Sequence, residues 1–273
     1  YEISCSLVGS EMCIRDSSYL AINETNASIK WMTIASLIYL VVYSLAGRLE
    51  FQSQSIWMQI LYLSIVCVLA ITFKKFYKTD KVFIKLPKEG KVKIITIIFC
   101  ALVILLYALL GSVVSWAEVL NSMPEMMWGS ICVALAAGIG EEVLCRVLLF
   151  NLFAKIFENK KYVLVWASLA SSILFGLFHL INLTHGAAIN ATMQQVFYAT
   201  AIGLTFSYIH IFTNRIWLCI VMHFLLDLQP NIATMDAQPS PWGLILLIFG
   251  TAMIVSLLSI YAFNRRANKV FEY

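Results

Sequence analysis

Charge is what this chain has least of. Asp, Glu, Lys and Arg make up only 12% of its 273 residues against 61% hydrophobic ones, with a mean hydropathy of +0.84. A soluble domain carries roughly 25% charged and about 45–50% apolar residues, so a water-soluble globular fold is excluded and a polytopic membrane protein is expected. Paired cysteines are missing too. Of seven cysteines, Cys67, Cys100, Cys132, Cys145 and Cys219 fall inside apolar runs, and no CxxC spacing occurs. That excludes a disulfide framework and a zinc–thiolate site and leaves them as small packing residues. Internal repeats and a second folded domain are absent. So are matched spans broken by Gly or Pro in two halves, which counts against an inverted-repeat transporter. The net charge of +4 is concentrated in alternate loops, which suits membrane orientation and gives no footprint for nucleic acid.

Residues 1–18 are set aside. The stretch LVGSEMCIRDS, Leu7 to Ser17, reads as the in-frame translation of a transposase-type sequencing adapter, so this leader is expected to be non-native, with a single transmembrane domain over 19–273. The same stretch points to a microbial source.

What is present is a series of apolar runs close to the roughly 20 residues that carry a helix across about 30 Å of hydrocarbon. Eight are predicted: Ile29–Ala46, Ile56–Phe73, Ile94–Trp116, Met127–Ile156, Tyr162–Ile181, Met193–Phe212, Ile216–Leu228 and Trp242–Phe263. The runs are continuous rather than alternating, so the expected fold class is all-α, a bundle of about eight transmembrane helices. The second connection, KKFYKTDKVFIKLPKEGKVK, holds eight lysines; the fourth and sixth connections and the tail are basic too, whereas the third, fifth and seventh carry no Lys or Arg. Under the positive-inside rule the even-numbered loops and both termini lie in the cytoplasm, with a bacterial cytoplasmic membrane expected.

Away from their ends, most of these spans hold no ionisable residue. The exceptions are Glu141, Glu142 and Arg146 in the fourth, His179 late in the fifth, His210 at the end of the sixth, and His223 with Asp227 in the seventh. Three charges in the fourth span cost about 8–10 kcal/mol on an insertion scale, and the Leu, Ile, Val and Phe residues beside them return only about 3–6 kcal/mol. These groups must therefore face the bundle interior, pair, or line a wet cavity. Glu142 and Arg146 are four apart and share a helical face, so an ion pair is expected; Glu141 lies about 100° round the helix and needs a partner elsewhere. Phe175 and His179 are also one turn apart, as are His223 and Asp227. Two carboxylates and two imidazoles on three helices can bind a divalent metal or hold a water for attack on a carbonyl. Before them, AAGIG, Ala136 to Gly140, lets neighbouring helices approach. Bland readings stand beside these: His185 and His210 as structural hydrogen-bonding groups, Glu142–Arg146 as a structural ion pair, His223–Asp227 as a satisfied polar pair. Counting about 1.5 Å per residue from the span ends places Glu141 near mid-membrane, His179 nearer the outer side and His223 nearer the inner side.

The ordered segments EEVLCR, FGLFH and HFLLD resemble the motifs EExxxR, FxxxH and HxxxN/D of the CPBP family, the CAAX-prenyl endopeptidases and bacteriocin-processing enzymes also called Abi, over a core of about 127–228. The resemblance implies an intramembrane endopeptidase acting on a membrane-associated peptide or protein. It makes Glu141 the activator of the attacking water together with His179, Glu142 and Arg146 the electrostatic support, and His223 with Asp227 the oxyanion stabiliser or metal site. Asp227 stands where the prenyl-protease branch resembles Asn; an ionised Asp cannot donate to an oxyanion, which favours orienting His223 or ligating a metal. The expectation leans to a divalent metal such as zinc on Glu141, His179, His223 and Asp227, with a metal-free glutamate-type hydrolase as the other form. An inactive relative acting in bacteriocin immunity or partner binding and an ion-coupled transporter are the competing functions.

Overall fold

The computed structural model describes residues 28–53, 55–77, 81–82, 98, 101–103, 105, 112–230 and 241–270. The leader at 1–18, most of the lysine-rich second connection, much of the third expected span and most of the seventh connection lie outside the described residues. Among the described residues the regular structure is helical throughout: α1 (Ile29–Ser53), α2 (Ile56–Tyr77), α3 (Ser112–Leu120), α4 (Pro124–Glu142), a π-helix (Val143–Leu149), α5 (Phe150–Ile156), α6 (Val163–Phe178), a 3₁₀ helix (His179–His185), α7 (Ile189–Thr213), α8 (Ile216–Asp227) and α9 (Trp242–Val270). Five helices are long and apolar enough to cross a membrane, Ile29–Glu50, Ile56–Lys75, Val163–Thr184, Ile189–Thr213 and Trp242–Ala267. The chain is an all-α integral membrane protein.

Two expected spans differ in form. The fourth is one continuous passage in three pieces, α4, π and α5, because the helix widens immediately after Glu142. The fifth leaves α geometry at Phe178 and tightens into 3₁₀ turns that begin on His179 and close at Gly186, whose φ of 89° only glycine adopts freely. The start of α4 follows from its sequence: Pro124 sits in the first turn, where its missing N–H costs nothing, and Glu125 faces the positive end of the helix.

Packing places α4 between α2 and α8, and α7 between α6 and α9. Residues of α1, the π-helix, α5 and α6 share one apolar core, in which Met32, Tyr39, Val143, Leu144, Leu148, Leu152 and Phe175 are buried. The glycines of the AAGIG run do what small residues in a membrane helix allow. Gly138 lies against the backbone of α8, where a Cβ would come within 3.0 Å of the Ile220 carbonyl and 3.1 Å of the Phe224 nitrogen. Gly140 lies under the Tyr43 ring, which an added Cβ would overlap. The inner helix ends are tied by asparagines: Asn264 of α9 accepts from the Leu164 N–H at 2.9 Å at the start of α6, and Asn214, left-handed at φ 55°, accepts from the Val82 N–H at 2.7 Å.

Candidate active site

The close approach at Gly138 decides what α4 shows to α8. Ile220 and Phe224 bracket His223, and Glu141 and Glu142 stand three and four residues beyond Gly138, so they share its helical face. Both carboxylates therefore arrive at the same imidazole. His223 Nδ1 is 2.8 Å from Glu142 Oε1; its Nε2 is 3.6 Å from Glu141 Oε2 and 3.3 Å from Asp227 Oδ2. Carboxylates only accept, so each ring nitrogen of His223 must carry hydrogen to serve its partners. Glu142 in turn meets the Arg146 guanidinium, Nε to Oε2 3.1 Å, as the four-residue spacing predicts. The Arg146 guanidinium carbon lies 5.9 Å from each of the ring centroids of Phe175 and Phe206, which supply π faces where water is excluded.

Burial separates two neighbouring carboxylates into different jobs. The side chains of Glu142 and Arg146 are fully enclosed and that of His223 is 5% exposed, whereas Glu141 keeps 24% and Asp227 23% of its exposure. Glu142 can only hold; Glu141 can meet something that enters. A sealed Glu142–Arg146–His223 core thus backs an accessible rim of Glu141 and Asp227. Removing charge from water in this way costs several kcal/mol per ion unless each is paired, and alternating signs along Arg146, Glu142 and His223 meet that condition.

His179 sits beside this set. Its Nδ1 lies 3.0 Å from the Phe175 carbonyl and donates to it, which leaves Nε2 as an acceptor, and the Phe175 ring packs edge-on against it at 5.0 Å, as the one-turn spacing predicts. The same ring lies 6.0 Å from that of His223, and His179 is near enough to Glu141 to act on its charge. The expected depth offset of His223 is absent: α8 is only 12 residues long and rides on Gly138, so His223 reaches the level of Glu141. His210 is buried at the end of α7 with its ring 6.3 Å from Phe150, apart from the His223 contacts. The His185 side chain lies outside the described ones.

The four expected metal donors, Glu141, His179, His223 and Asp227, do not gather into a ligand group. Among the described residues no set of three or more His, Cys, Asp or Glu side chains is placed to hold a metal ion. The reason is in the hydrogen bonds: His223 turns both nitrogens to carboxylates and His179 commits Nδ1 to a backbone carbonyl.

The sequence reasoning missed Tyr43. Its hydroxyl donates to Glu141 Oε1 at 3.2 Å, and one turn earlier the Tyr39 hydroxyl donates to the Gly140 carbonyl at 3.0 Å. Two tyrosines spaced by four in the first apolar run were the available signal, since each phenol in hydrocarbon needs a partner.

With three motif segments meeting on one imidazole, the comparison with known proteins has a geometry to explain. Residues 123–229 are Rce1-like. They match the family described as type II CAAX prenyl endopeptidase Rce1-like, in agreement with the resemblance drawn from EEVLCR, FGLFH and HFLLD. The chain is also 26% identical over 110 residues to "Putative membrane peptidase YdiL" of Bacillus subtilis (strain 168). That alignment covers 40% of this chain and 37% of the relative, so the chain spans little more than a third of the relative's length. No solved structure matches the chain. The Rce1-like segment opens at the residue before α4 and closes two residues after α8, enclosing every motif residue. Tyr39 and Tyr43 fall outside it, on α1.

Proposed function

We propose that this chain is an intramembrane endopeptidase that hydrolyses a peptide bond in a membrane-associated peptide or protein, using a water activated by Glu141 and His179. One observation carries the reading: Glu141 is the accessible carboxylate of an adjacent pair whose sealed member, Glu142, fixes His223 from the other side. In this reading a substrate carbonyl enters at the Glu141–Asp227 rim. A Glu141 oxygen takes a proton from water while the water oxygen attacks the carbonyl carbon. An N–H of His223 turns to the developing oxyanion, and Asp227 holds the ring at that angle. When the C–N bond breaks, Glu141 returns the proton to the leaving amine, giving a carboxylic acid and an amine. Glu142 and Arg146 touch no reacting atom and keep His223 charged and oriented.

The Rce1-like match and the microbial leader support a bacterial cytoplasmic membrane with both termini in the cytoplasm, and a leader peptide, bacteriocin precursor or membrane-anchored regulator as substrate rather than a prenylated C-terminus. Cleavage of a membrane-embedded peptide library by purified protein in liposomes tests the activity. Glu141→Gln and His179→Ala should each abolish it while the protein stays folded. Unchanged cleavage in Glu141→Gln rejects the mechanism, and a function retained without cleavage favours an immunity or partner-binding protein.

A zinc-assisted form requires Glu141, His179, His223 and Asp227 to regroup, and nothing in the contacts of His223 favours it. Metal content of the detergent-purified protein, measured together with cleavage before and after chelation, decides between the two forms. Stoichiometric zinc with chelator-sensitive cleavage selects the metalloprotease.

A further inference from the structure

Three features of α1 and α2 converge on Glu141 and belong to none of the motifs. The Tyr43 hydroxyl donates to Glu141 Oε1 at 3.2 Å. The Tyr62 phenol of α2 adjoins it, the rings 6.0 Å apart and the hydroxyls interacting. The Tyr39 hydroxyl, on the same face of α1, fixes the backbone carbonyl of Gly140 at 3.0 Å, directly before Glu141. The Tyr39 and Tyr43 rings stack at 6.3 Å and 20°, and the Phe73 ring meets Tyr39 edge-on at 5.3 Å. Gly140 completes the seat, because a side chain there would occupy the space of the Tyr43 ring.

We infer that Tyr43, braced by Tyr62, is a positioning residue that fixes the rotamer of Glu141, holding Oε1 so that Oε2 is the oxygen presented to His223 and to the attacking water. The inference rests on the hydrolase reading above and extends it to two helices outside the Rce1-like segment. Glu141 needs such a brace. It is partly open, it has no cation in its own helix, and its remaining contact to His223 is long at 3.6 Å. A carboxylate free to rotate about its terminal torsions presents either oxygen or neither, and misplacement of a base by an ångström costs orders of magnitude in rate. Tyr39 acts on the backbone and Tyr43 on the side chain, so together they fix both ends of the residue.

The test uses the full chain in liposomes, with Tyr43→Phe, Tyr62→Phe and Glu141→Gln. A hydrogen bond to a charged group corresponds to about tenfold or more in rate. Tyr43→Phe should lower kcat by about that factor with KM unchanged, and Tyr62→Phe should do so to a smaller degree, at unaltered melting temperature. A second arm needs no substrate: the infrared difference between wild type and Glu141→Gln isolates the Glu141 carboxyl band, which Tyr43→Phe should shift. An unshifted band overturns the inference, as does a shifted band with unchanged kcat or a loss confined to KM. If Glu141→Gln still cleaves, the hydrolase reading fails first and the positioning role falls with it, whereas a shifted band and dead Glu141→Gln with unaltered Tyr43→Phe turnover removes the positioning role alone.

Discussion

Helices α2 and α7 are both long, apolar and able to span a bilayer, yet they are built to opposite rules. Along its most apolar stretch α7 is 67% buried inside the protein, against 11% for α2. The buried helix is the more polar one: Thr192, Gln194, Thr205, Ser207 and His210 are all enclosed. The outer helix shows Trp57, Leu61, Val68 and Ile71 to its surroundings. In water the hydrophobic effect would invert this pattern. In a bilayer, apolar side chains gain nothing by leaving lipid, so interior positions are free to carry hydroxyls, amides and charges that find partners across helices. The candidate site is the extreme of that rule, a cluster of five ionisable side chains enclosed by a chain that is otherwise poor in them.

Three substitutions probe the contrast. Arg146→Ala should be the most damaging, because it leaves the enclosed Glu142 carboxylate without its cation. Breaking a buried pair from one side costs about 3–5 kcal/mol, read as a lowered unfolding midpoint in detergent. A midpoint close to that of wild type would mean that water reaches Glu142. On the outer helix Val68→Asp, at a position 64% exposed, should cost roughly 2.5–3.5 kcal/mol in a membrane-insertion assay of α2; full insertion would place Val68 against protein or water instead of lipid. The smallest effect belongs to the interior of α7. Ser207→Ala removes a hydroxyl 3.5 Å from that of Ser172 and should lower stability by only about 0.6 kcal/mol. A loss several times larger would reveal a polar network extending beyond that pair.

The charged spacings were legible because an α-helix repeats nearly every four residues: Glu142 with Arg146, Phe175 with His179 and His223 with Asp227 each meet as their positions dictate. The clearing made by Gly138 was legible from absent side-chain bulk. Three things were not. The offset that brings His223 level with Glu141 depends on where α8 seats on α4, which no count along one helix contains. The 3₁₀ turn at His179 replaces a helix end that apolar residues alone left running to Ile181. Tyr43 reaches Glu141 across 98 positions of sequence, and a phenol in an apolar run reads equally as a packing ring. The metal expectation shows the same limit in reverse: the right donor types were counted, but their hydrogen bonds, not their identities, decide what they can hold.

The widened turn at Val143–Leu149 carries a further consequence. Each residue advances an α-helix by about 100°, and a π segment absorbs additional residues without lengthening the rod in proportion. Deleting a single residue there would let the passage revert to ordinary pitch, and everything from Phe150 onward would swing round its own axis while the paired glutamates stayed put. The span therefore works as a coupling between two shafts set at different angles, one keyed to chemistry and the other to the neighbouring helices.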